Sequence, residues 1–123
     1  MLLVKRFTDQ QEIRSIDNTR LRELLNPRCE AGSLHLDYSL AHATVEPRAS
    51  TRPHLLKTSS EVYYIVEGTG LVHVDGDAAF VGAGDSVYIP PGCIQYIENT
   101  SDGHLVFLCI VSPAWQADDE ELV

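Results

Sequence analysis

An all-β barrel is the fold class this sequence predicts, and three observations predict it. From Gly32 onward short apolar or alternating runs follow one another: "SLHLDYSLAHATV", "EVYYIVEG", "GLVHVDG", "AAFVGAG", "DSVYIPPG", "IQYIEN" and "LVFLCIV". Gly, Pro, Asn and Asp break these runs at short intervals with no helical pattern between them, the signature of an antiparallel sandwich or barrel. In "VDGDA", Asp75 and Gly76 stand between two alternating runs, a strong hairpin signal because glycine accepts a positive φ.

The elements follow in chain order. Residues 1–32 form an N-terminal arm in which "NTRLRELLNP" carries Leu21, Leu24 and Leu25 at helical spacing behind Asn18 or Thr19, with Pro27 as a stop. That pattern predicts one short helix or turn segment. The barrel core spans about residues 33–112, where His35 and Asp37 alternate on one strand face and could pair. In "HLLKTSSEVYYIVEG" the two-residue period of a strand turns Glu61, Tyr63 and Ile65 one way and Val62, Tyr64 and Val66 the other. With Glu61 inward, the three outward side chains need cover from the N-terminal segment or from a second subunit. "LVFLCIV", apolar on both faces, tilts the expectation toward a homodimer. Pro90, Pro91 and Gly92 build a tight turn, after which Gln95, Ile97 and Asn99 share a face. Residues 113–123 are an acidic tail, expected to be solvated and fraying, with Trp115 as its anchor at one end of the barrel.

Length and charge narrow the function classes. The 123 residues suffice for one core, hence a single domain over 1–123. A net charge of −9, with no Lys/Arg cluster, opposes a phosphate backbone, so nucleic acid is not an expected partner. No apolar run approaches the roughly 20 residues of a spanning helix, and the start does not read as a secretory signal. The expectation is no membrane partner and a cytoplasmic location, which Cys29, Cys93 and Cys109, odd in number and without CxxC spacing, also fit as reduced thiols.

Glu61 opens an apolar strand seven residues after His54. A carboxylate inside a core costs several kcal/mol, in order of magnitude, unless it is paired, hydrogen-bonded or bound to a metal, so it needs a partner or a job. A salt bridge to Lys57 or Arg52 at the strand end is the plainest alternative.

Two segments resemble the signatures of the cupin superfamily, small double-stranded β-helix (jelly-roll) barrels. The first signature, G-x5-H-x-H-x3–4-E-x6-G, falls on Arg48, His54, Leu56, Glu61 and Gly68, with two of its residues changed. The second, G-x5-P-x-G-x2-H-x3-N, falls on Gly84, Pro90, Gly92, Gln95 and Asn99, with Gln95 where the family has histidine. The resemblance covers roughly residues 40–112 and implies a barrel whose interior holds a divalent metal, commonly Fe, Mn, Ni, Cu or Zn. Here the ligand positions hold His54, Leu56, Glu61 and Gln95. Two imidazoles are lost, an amide oxygen is a weak, hard donor, and Leu56 cannot ligate.

Two site readings follow from this set. In one, His54, Glu61 and Gln95 hold Zn, Ni, Mn or Fe at low occupancy; in the other no metal binds, and His54 and Glu61 pair in a polar pocket. His42 and His73 are the candidates for a further ligand, although either is more simply an exposed or capped histidine. Tyr63, Gln95 and, at the barrel mouth, Lys57 are the candidate ligand-binding residues. Cys93 lies in the turn near that mouth as a small filler. The expected function is small-molecule binding, with an isomerase- or lyase-type enzyme that uses His54 and Glu61 as its acid–base pair as the alternative.

Overall fold

The computed structural model describes residues 2–30 and 34–123. Its strands are β1 (Ile13–Arg14), β2 (Arg20–Leu25), β3 (Ser39–Val45), β4 (His54–Leu56), β5 (Ser60–Glu67), β6 (Thr69–Val74), β7 (Asp77–Gly82), β8 (Ser86–Ile89), β9 (Gln95–Asn99), β10 (Leu105–Ser112) and β11 (Glu120–Leu122). They form two antiparallel sheets, ordered β1-β2-β3-β10-β5-β8 and β11-β4-β9-β6-β7. From β3 to β10 the chain crosses repeatedly between the sheets, as in the double-stranded β-helix. The only helical pieces among the described residues are single 3-10 turns at Phe7–Asp9 and Ala117–Asp119.

The inward faces alternate as the strand period requires. On β5, Glu61, Tyr63 and Ile65 are buried, whereas Tyr64 and Val66 face out. On β9, Gln95, Ile97 and Asn99 are all buried. These side chains meet Ala43, Val45, Val72, Ile89, Leu105, Phe107 and Cys109 in one core, where the rings of Tyr63 and Phe107 lie 4.5 Å apart. Asn99 is a pin rather than a ligand: its amide donates to the carbonyls of Val45, Glu46 and Gly103.

The turns account for several of the glycines. Asp75 and Gly76 both take positive φ, +48° and +87°, between β6 and β7, the hairpin the sequence predicts. Gly68 has φ +88°, and a Cβ there would stand 2.5 Å from the His104 carbonyl oxygen. Gly68→Ala combines a left-handed backbone with a clash against main chain, and an urea unfolding midpoint should register a loss of about 2 kcal/mol or more. Arg48, at the family's glycine position, holds φ +61° and pairs with Asp102 at 3.0 Å. The left-handed conformation costs roughly 1–2 kcal/mol for such a residue, and an exposed ion pair recovers little of it.

The arm and the tail differ from expectation. The segment expected to be helical is β2, which pairs with β3 through Leu21 opposite Ala43 and Arg22 opposite His42. Its leucines repeat at helical spacing because the register shifts between Glu23 and Leu25, and such a bulge disrupts strand alternation. Pairing against an open sheet edge outweighs a weak local helical preference. Asn18 sits in a turn at φ +73° rather than capping a helix. Residues 34–38 are not strand, and His35 and Asp37 are exposed with no ion pair recorded between them. The expected start of the barrel core, residue 33, lies outside the described residues.

The acidic tail does not fray. After its 3-10 turn it adds β11 to β4, with Glu120 opposite Leu56 and Leu122 opposite His54. Asp119, 5% exposed, accepts from the Thr58 hydroxyl at 2.7 Å and from the amides of Thr58 and Ser59 at 2.9 and 3.1 Å. Burial alone would raise its pKa; the Thr58 and Ser59 hydrogen bonds outweigh that and hold it below the ordinary value. No helix among the described residues is long and apolar enough to cross a membrane.

Candidate functional site

The two halves of the barrel, the arm and the tail line a partly open cavity of about 230 Å3. Its apolar wall comes from Leu21 of β2, Ala41 and Ala43 of β3, and Phe107 and Val111 of β10. Its polar wall is His54 of β4, Glu61 of β5, Asp17 from the turn between β1 and β2, and Glu120 of β11. His54 and Glu61, singled out from the sequence, thus share one cavity. Asp17 and Glu120 were not, because each lies in a segment that reads locally as arm or solvated tail.

His54 is 2% exposed and fixed from behind. Its Nδ1 lies 2.7 Å from the Arg52 carbonyl oxygen, which can only accept, so Nδ1 carries the proton and Nε2 faces the cavity. Nε2 is 3.5 Å from Asp17 Oδ2 and 4.0 Å from Glu120 Oε2. Asp17 is held through its other oxygen, Oδ1, which accepts from the Thr19 hydroxyl at 2.7 Å, the Thr19 amide at 3.2 Å and the Ser15 hydroxyl. Trp115 lines the cavity as well, and its amide donates to Ser39 Oγ at 2.9 Å.

Glu61 is 8% exposed. Burial pushes its pKa up to about 8; hydrogen bonding to Gln95 opposes this, the charges of Asp17 and Glu120 add to it, and Cys109 opposes it weakly. At neutral pH the side chain is therefore a carboxylic acid, able to donate as well as accept. Burial likewise drives the Cys109 thiol, beside it on the cavity wall, well above its ordinary value. Glu120 is raised too, by burial first, with His54 pulling the other way and Asp17 adding to the rise.

The remaining expected site residues are placed differently. Gln95 is 1% exposed and lies behind the wall, accepting the Tyr63 hydroxyl proton at 2.7 Å. Tyr63 lines the cavity with its ring, while its hydroxyl is committed to Gln95. Lys57 is exposed, 3.9 Å from Glu121, and takes no part in the cavity. The salt bridge to Lys57 or Arg52 considered for Glu61 does not form. His42 packs against Phe7, and His73 pairs with Glu98 at 2.8 Å, so neither reaches the cavity. Cys93 does not line it.

This donor set does not fit a metal. Gln95 Oε1 is occupied by the Tyr63 hydroxyl and Leu56 offers hydrocarbon, so of the four family positions only His54 and Glu61 present a free donor atom. Among the described residues no group of three or more His, Cys, Asp or Glu side chains is arranged to hold an ion.

The family model for the cupin domain matches residues 41–111. The chain belongs to the cupin family. This cupin is 38% identical over 107 residues to an uncharacterized protein of Methanocaldococcus jannaschii, an alignment covering 87% of this chain and 83% of that one. It is 32% identical over 71 residues to the oxalate-binding protein of Thermotoga maritima, covering 58% and 59% of the two chains. Among solved structures, a predicted oxalate decarboxylase of Thermotoga maritima superposes with a TM-score of 0.77 at 26% identity, over 90% of this cupin and 99% of that chain. Pac13, a nucleoside dehydratase, shares the fold with a TM-score of 0.76 at 21% identity, over 100% and 92% of the chains.

Proposed function

We propose that this cupin binds a small organic molecule inside the barrel without a metal. The observation that carries the reading is the recessed cavity of about 230 Å3, with apolar walls and convergent polar groups from Asp17, His54, Glu61 and Glu120. A largely apolar recess with a few placed polar groups is the usual form of a ligand site. The volume is slightly below the usual range for drug-sized ligands, which favours a small metabolite. The Thermotoga maritima relative named for oxalate binding supports the binding class without fixing the ligand. The test is a thermal-shift screen of small metabolites on wild type and on Ala41→Leu, which fills the cavity from β3. Ligands that raise the wild-type midpoint should lose most of their effect in the variant; equal shifts in both proteins would place binding elsewhere.

A second reading is favoured by the proton on Glu61. A neutral carboxyl and an imidazole with Nε2 directed into the same cavity are the components of acid–base catalysis, as in an isomerase or lyase. Under that reading Glu61→Gln lowers turnover by about 10²–10⁴-fold, whereas a binding protein loses only modest affinity.

The proposed partner is a second copy of the chain. On the outer face, Tyr64 lies opposite Leu108, Val62 opposite Ile110, and Tyr88 opposite Val62, forming an apolar stripe across β10, β5 and β8. Tyr64 and Tyr88 are 43% and 64% exposed. Light scattering should give twice the chain mass for wild type and a monomer for Tyr64→Lys; a monomeric wild type contradicts the dimer. The proposed location remains the cytoplasm, in keeping with the free thiols of Cys29, Cys93 and Cys109.

A further inference from the structure

We infer that the cavity takes a small organic cation, an amine on a compact apolar body, with Asp17 and Glu120 receiving its ammonium group. The inference rests on the reading of this cavity as a binding site and adds the charge of the ligand.

The charges on the wall are unbalanced. Four acidic side chains line the cavity; Glu61 is neutral and Glu23 accepts from the Asn26 amide, which leaves Asp17 and Glu120 to face the recess. Among the described residues the one Lys or Arg on the wall is Arg14, and it is already used. Its guanidinium donates to Glu46 Oε1 at 3.0 Å and to the Asn18 carbonyl at 3.2 Å. The remaining basic group is His54, which faces both Asp17 and Glu120 with one nitrogen, at separations longer than a good hydrogen bond. Asp17 is 7% exposed, and its hydrogen bonds from Ser15 and Thr19 go to Oδ1, leaving Oδ2 directed at His54 and the cavity. A carboxylate oxygen on a cavity wall, with His54 Nε2 3.5 Å away as its neighbour, suits a ligand that brings a closer donor.

The rest of the wall defines the body of the ligand. Leu21, Ala41, Ala43 and Val111 offer no hydrogen bonds, which disfavours a polyol, and the rings of Tyr63, Phe107 and Trp115 present aromatic surface that attracts ammonium groups. At about 30 Å3 for each water, the volume corresponds to roughly eight waters, a scale that fits a ring or short chain. The net charge of −9 also attracts cations to the protein at long range. Oxalate, the ligand in the name of the Thermotoga maritima relative, would place two negative charges beside Asp17 and Glu120 with no free guanidinium or ammonium to receive them.

Four probes of similar or smaller size, benzylamine, benzyl alcohol, benzoate and oxalate, test the assignment by isothermal titration of the full chain. Benzylamine should bind about tenfold or more tightly than benzyl alcohol, as expected for one charge-assisted hydrogen bond, and the two anions should not saturate the site. Glu120→Gln should weaken benzylamine by a similar factor while leaving benzyl alcohol within about twofold. Should that variant fold poorly, the contrast between amine, alcohol and anions in wild type still decides. Benzyl alcohol binding as tightly as the amine, or saturable binding of benzoate or oxalate, would overturn the cation and leave the cavity as a binding site. No binding of any of the four would overturn both.

Discussion

Glu61→Gln should make the protein more stable at pH 8 than wild type by an amount on the order of 4 kcal/mol, and should flatten its stability against pH. The folded chain holds the Glu61 proton up to about pH 8, whereas the ordinary value is 4.5. Between those values the unfolded chain has released the proton and the folded chain has not, so stability falls as pH rises, by about 1.4 kcal/mol per unit. Below pH 4.5 the cost is absent; above about 8 it is complete. Glutamine has nearly the shape of the protonated acid and can bond with Gln95 in the same way, so the two proteins should agree near pH 4 and diverge above it. Urea unfolding at half-unit steps gives the difference directly. Superimposable profiles would mean that Glu61 is solvated or paired, contrary to its placement.

The second large effect concerns metal. Leu56 is 3% exposed on the same face of β4 as His54, and Gln95 lies opposite His54 on β9. Leu56→His with Gln95→His therefore puts two imidazoles at the positions where the family signature has them. Without metal the double variant should be less stable by about 2 kcal/mol or more, since a buried leucine and the acceptor of the Tyr63 hydroxyl are both gone. With Zn or Ni at about 100 times the dissociation constant, binding adds about 2.7 kcal/mol, a rise in midpoint on the order of 10 °C. Wild type should shift by less than about 1 °C under the same conditions, the scale of a few tenths of a kcal/mol. An equal shift in wild type would show that His54, Glu61 and Gln95 hold an ion as they stand.

The sequence made the barrel legible where a signal is local and periodic. Alternation turned Glu61, Tyr63 and Ile65 inward, and Asp75-Gly76 marked the hairpin, because both depend on neighbouring residues alone. The family spacing located His54 and Glu61 for a related reason: turn lengths within the barrel fix which positions converge. Neither kind of signal reaches the chain ends. β2 carries leucines at helical spacing around a bulge, and its strand conformation is decided by β3, nearly 20 residues away. "ADDEELV" is as acidic as a solvated tail, and only the amides of Thr58 and Ser59, about 60 residues earlier, make Asp119 a buried cap that sets Glu120 against His54. Half of the polar wall was therefore hidden in long-range contacts. Lys57 failed in the opposite sense: proximity in sequence to Glu61 does not carry a side chain around a turn to the inner face.

The central proposal is a pocket, at the position where the family holds a metal, that binds its ligand without one and carries a neutral acid on its wall. The carboxyl carbon of Glu61, observed by carbon-13 NMR in untagged protein and assigned with Glu61→Gln, tests it most directly. A titration midpoint near the value of about 8 is the result predicted. A midpoint at or below the ordinary 4.5 would contradict it, because only a solvated, ion-paired or metal-bound carboxylate stays charged to so low a pH.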